Sequence, residues 1–89
     1  MRIEYEPHND AANRARHGVS LALARELDWD AALVWVDDRF QYDEVRMIAL
    51  APKTNTLYYV AFVDPSTRRR IISLRLATRS EVKHYVENI

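Results

Sequence analysis

Leu57-Tyr58-Tyr59-Val60-Ala61-Phe62-Val63 is apolar on both sides and rich in aromatic and β-branched residues, the signature of a strand inside a sheet. Asp64-Pro65-Ser66-Thr67 turns the chain, and Arg70-Ile71-Ile72-Ser73-Leu74-Arg75-Leu76 follows as a second strand. Strict alternation there sends Ile72, Leu74 and Leu76 to one side and Ile71, Ser73 and Arg75 to the other. On the N-terminal side, Glu44 to Ala51 reads as a strand with Glu44, Arg46, Ile48 and Leu50 on one face, closed by the turn Pro52-Lys53-Thr54-Asn55. Ala32-Leu33-Val34-Trp35-Val36 is a further short apolar run. Connections this short force antiparallel neighbours.

Outside this meander the signals change. Thr78-Arg79-Ser80-Glu81 has capping-box spacing, so a final helix starts at Arg79, with an apolar stripe of Val82, Tyr85, Val86 and Ile89. At the other end, Ile3-Glu4-Tyr5-Glu6 alternates like a short strand, and Pro7 suits the first position of a helix running to His17. Gly18, the only glycine, stands where a helix needs a left-handed stop. Ser20 caps a second helix over roughly Leu21 to Asp28. The expected fold is α+β in two layers: an antiparallel β-sheet meander, two N-terminal helices and a C-terminal helix, with residues 1–89 as a single domain.

The 89 residues include no cysteine, which removes disulfides, zinc-finger ligation and thiol chemistry. No apolar run approaches the ~20 residues needed to span a bilayer, so no membrane association is expected. The first residues hold no apolar secretory core, and the expected location is cytoplasmic. Net charge is zero, but residues 1–44 hold five bases against ten acids and residues 45–89 hold eight bases against three acids. The asymmetry suggests a polyanion surface on one side and a basic partner on the other, or halves whose charges pair on folding.

No phosphate loop, nucleophile elbow or metal-protease motif is present, and no cofactor is expected. No metal is expected either, although an acidic cluster of Asp37, Asp38, Asp43 and Glu44 is conceivable as a cation site. The remaining chemistry is arginine: Arg46, Arg68, Arg69, Arg70, Arg75 and Arg79, of which Arg68-Arg69-Arg70 also reads as a solvated hairpin edge. Arginine presents a fixed set of donors to phosphate, and a helix N-terminus adds its dipole.

Four stretches resemble the BrnT toxin family. Asn13-Arg14-Ala15-Arg16-His17-Gly18-Val19-Ser20 resembles its N-x-x-K-H-G-V-S/T corner, with Arg16 where Lys is usual. Asp43-Glu44-Val45-Arg46 is similar to its strand entry, Arg70 to Ala77 to its R-I-I-S-x-R-x-A strand, and Glu81 to Tyr85 to the E-x-x-x-Y of its last helix. The resemblance implies a RelE-like fold and the toxin role of a type II toxin–antitoxin system. The implied activity is endoribonuclease cleavage of an RNA substrate, which inhibits translation. The implied partner is a BrnA-like ribbon–helix–helix antitoxin. It neutralises the toxin, co-represses the operon with it, and provides the only route to operator DNA.

For attack of a ribose 2′-OH on the adjacent phosphate, the candidate catalytic residues are Arg46 and Arg75 on the phosphate, with Glu44 or His17 moving the proton. Arg79, Arg70 and Lys83 are the candidate RNA-binding residues. A neutralising segment over Arg46, Arg75 and Arg79 is expected to be acidic and amphipathic. Two rival readings are a non-catalytic binding module of the same fold and a DNA-binding helix–turn–helix. The second is opposed by Glu26, Asp28 and Asp30 on its second helix.

Overall fold

The computed structural model describes residues 1–39, 41 and 43–89. It contains β1 (Arg2–Glu4), α1 (Pro7–His17), 3-10 helices over Leu21–Glu26 and Trp29–Ala31, β2 (Leu33–Val36), β3 (Met47–Lys53), β4 (Thr56–Val63), β5 (Arg68–Leu76) and α2 (Arg79–Asn88). The sheet runs β1-β5-β4-β3-β2. The meander from β2 to β5 is antiparallel as expected, but β1 joins β5 in parallel, so the sheet is mixed. A pairing between the two ends of the chain leaves no turn signal in the sequence.

Gly18 ends α1 with φ of 75° and ψ of 9°, and its N–H reaches the Arg14 carbonyl at 2.9 Å. Asp10 accepts from the Ser20 hydroxyl (2.8 Å) and the Leu21 N–H (2.7 Å), clasping α1 to the next segment. Those bonds, with Leu21 leading, hold its carboxyl below the usual range. The second helix is a 3-10 helix rather than the expected α-helix. Its core residues Leu21, Ala24 and Leu27 recur every third position, which lines them up only at about 3 residues per turn.

Leu21, Ala24 and Leu27 pack on one face of the sheet against Ala49, Ala51, Val60, Phe62, Ile71 and Leu74. Ile71 and Leu74 share that face because strict alternation fails in β5. Ala61 pairs with Ser73 and Phe62 with Ile71, leaving Ile72 as the extra residue of a bulge. Beyond it, Ser73 and Arg75 turn to the opposite face. Asn13 closes the bare edge of β5: its amide donates to the Leu74 carbonyl (2.8 Å) and the Val19 carbonyl (2.9 Å), and accepts from the Leu74 N–H (3.1 Å).

The expected two layers become three where α2 lies, because it packs on the second face. Its Glu81 meets Arg75, its His84 ring stands edge-on to Trp35 at 5.9 Å, and its Tyr85 hydroxyl donates to the Ala31 carbonyl at 2.7 Å. Glu81, His84 and Tyr85 meet the rest of the fold, so of the expected apolar stripe only Tyr85 turns inward. Val82, Val86 and Ile89 are exposed, and no residue of α2 is buried.

Candidate functional site

The second face is ordered in cross-strand rows. Leu33, Leu50, Tyr59 and Arg75 form one row, and Trp35, Ile48, Ala61 and Ser73 the next. Val63 and Arg70 form a third, at whose β3 end lies Arg46.

Arg75 is the most constrained cation. Its guanidinium carbon lies 3.9 Å from the centre of the Tyr59 ring. Its Nη1 and Nη2 donate to the two Glu81 oxygens at 2.8 and 3.0 Å, and Nη1 also reaches the Leu76 carbonyl at 3.1 Å. Glu81 is itself fixed by the capping box: it accepts the Thr78 N–H at 2.8 Å, while Thr78 Oγ1 accepts the Glu81 N–H at 3.2 Å. Hydrogen bonding to Arg75, ahead of the other causes, holds the Glu81 carboxyl low, and the same bond raises Arg75. The like charge of Arg39 opposes that rise. Arg39 is gripped by Asp37, whose two oxygens accept its Nε and Nη2 at 2.8 and 2.9 Å.

Arg46 and Glu44 do not share a strand face as expected, because β3 begins at Met47. The sheet runs out of partners there. The Asp37 N–H bonds the Arg46 carbonyl at 2.7 Å, after which β2 has ended, and β4 gives way to Asp64 and Pro65. Arg46 and Glu44 instead line a shallow hollow of about 160 Å³ with Asp43, Val63 and Ile72, where Glu44 pairs with Arg70. By register, Arg46 lies four residues from the Arg75 row, roughly 13 Å along the strands.

Arg79 and Lys83 sit one turn apart on α2 and make no ion pair or hydrogen bond among the described residues. His17 lies in the last turn of α1, which runs along β5 and is tied to the 3-10 segment of the first face. The reading of Arg68-Arg69-Arg70 as a solvated edge holds for Arg68, which is exposed, and changes for Arg69, which is largely covered. Arg68 pairs with Glu4, while Arg69 bonds both Asp64 oxygens at 2.9 Å and covers the Trp29 and Phe62 rings. Lys53–Glu26, Arg68–Glu4 and Arg70–Glu44 join the two oppositely charged halves. Among the described residues no metal-capable cluster of three or more His, Cys, Asp or Glu is gathered.

Sequence reasoning missed Tyr59, Trp35, His84 and the Arg39–Asp37 pair. The aromatic residues were absorbed into apolar patterns. Arg39 lies beyond a strand end, where no periodicity points to a face.

The protein is a mixed five-stranded α+β fold that lays an arginine, braced by a carboxylate of its C-terminal helix, on an aromatic ring of the sheet. Residues 5–81 match the family described as "Ribonuclease toxin, BrnT, of type II toxin-antitoxin system", and the chain belongs to that family. The match runs from the end of β1 to Glu81, so it takes in Arg75 and its carboxylate brace. Comparison with curated proteins gave no match.

Proposed function

We propose that this BrnT-family protein is a RelE-like, metal-independent endoribonuclease that cleaves RNA and so inhibits translation. The carrying observation is Arg75, flat on Tyr59 and braced by Glu81 on the second sheet face. A guanidinium held this way loses little further freedom on meeting a phosphate. Arg75 stabilises charge on the scissile phosphate, and Arg46, about 13 Å along the strands, holds a neighbouring one. Glu44, in the hollow beside Arg46, is the proton-transfer group. Arg70, Arg79 and Lys83 extend the backbone contact. A BrnA-like ribbon–helix–helix antitoxin neutralises the toxin and carries it to operator DNA as co-repressor.

Induced expression without antitoxin tests this reading. Wild type is expected to stop growth and lower translation, and purified protein to cleave single-stranded RNA equally well in EDTA. Arg75→Ala is expected to be harmless and inactive while remaining folded by circular dichroism. A folded Arg75→Ala protein that still arrests growth overturns the role of Arg75. Cleavage that needs added Mg²⁺ or Mn²⁺ overturns metal independence.

A further inference from the structure

Apart from Glu44, the acidic residues of the first half serve no step of the proposed reaction, and their placement is specific. β2 is the last strand of the sheet order, so its outer edge pairs with no strand among the described residues. Its side chains are open on both faces: Val34 is 42% exposed, Trp35 36% and Val36 53%. The strand has no lysine, proline or bulge, the usual devices that keep a bare edge from pairing. Carboxylates bracket it. Asp28 and Asp30 precede it and Asp38 and Asp43 follow, none in an ion pair among the described residues.

We propose that β2 is a strand-addition site, taking an extended segment of the antitoxin whose alternating apolar residues are bracketed by lysine or arginine. The proposal rests on membership of a toxin–antitoxin family and is independent of the cleavage chemistry. Main-chain bonds at the edge would supply affinity, and contacts to Val34, Trp35 and Val36 the register. The flanking carboxylates select a basic segment. They also disfavour a second copy of this chain: antiparallel pairing of two β2 strands brings the end of one that carries Asp28 and Asp30 toward the end of the other that carries Asp38 and Asp43. RNA is repelled by the same charges. This edge asks for the opposite charge from the arginine face, so the two surfaces engage different stretches of the partner.

The probe is a short peptide of alternating valine and threonine with lysines at both ends, titrated calorimetrically into the wild-type toxin, with amide exchange followed by NMR. The peptide is expected to bind and to slow exchange at Leu33–Val36. Affinity should fall about tenfold between low and physiological salt, and by a similar factor in the Asp28→Asn/Asp30→Asn/Asp38→Asn variant. A glutamate-flanked peptide and one with a central proline are expected not to bind. In the complex co-purified with the toxin's own antitoxin, the same amides should be protected. Equal binding of all three peptides, protection confined to other strands, or a toxin dimer dispersed by Val34→Lys would each overturn the assignment. None of these readouts requires RNA, so loss of the ribonuclease reading leaves the test intact.

Discussion

Glu81 does two jobs with one carboxylate, closing the capping box and bracing Arg75. Its carboxyl is held below its usual pKa in the folded protein by the bond to Arg75, so its contribution is complete above the unfolded carboxyl value near ~4.3 and fades as pH falls through the lower folded value. Glu81→Gln is expected to cost about 1–2 kcal/mol at pH 7, and the gap should close toward pH 3. Thermal melts of both proteins across that range check it; a gap that widens on acidification contradicts the pairing. Asn13 is the opposite kind of residue, far from any chemistry. Asn13→Ala strands the N–H and carbonyl of Leu74 at a buried edge and should cost roughly 2–4 kcal/mol, read by urea unfolding.

At the scale of elements, Gly18 was legible in the sequence because one residue type meets a conformational need that few others can. An added Cβ at Gly18 would meet no atom within 4 Å, so Gly18→Ala should show only left-handed strain, about 1 kcal/mol in urea melts. The Thr78 cap was legible for a similar reason: its spacing is local and its chemistry closes on itself. The bulge at Ile72 was not. Ile71 and Ile72 are equally apolar, and only pairing with β4 decides which one faces the core. The α2 stripe misled for the same reason. Val82, Val86 and Ile89 have helical spacing, but Arg75, Trp35 and the Ala31 carbonyl draw the polar side inward. Candidate site residues were half legible. Arginine as a type was visible, but that Arg68 pairs with Glu4 and Arg70 with Glu44 depends on contacts distant in sequence.

At the scale of the whole molecule, the core on the first face is small, and its buried members come from only four stretches of chain. Leu74, fully buried between β4 and the 3-10 segment, is therefore expensive to truncate. Leu74→Ala is expected to cost about 2–5 kcal/mol, enough to lower the melting temperature of a chain this size by ~10 °C or more. A calorimetric shift of only a few degrees would mean that the first face is not the main core.

The outward-facing α2 has a consequence for how the protein comes apart. A helix with no buried residue, held among the described residues by one carboxylate, one ring contact and one tyrosyl hydroxyl, is the element that opens at least cost. Arg79 and Lys83 lie on it and are cleavage points for trypsin once it unwinds. Brief digestion of the native toxin is expected to clip the tail there first, before any cut in β3 to β5. Tail release should quicken below pH 4, where the Glu81 clasp weakens, if an acid-tolerant protease replaces trypsin.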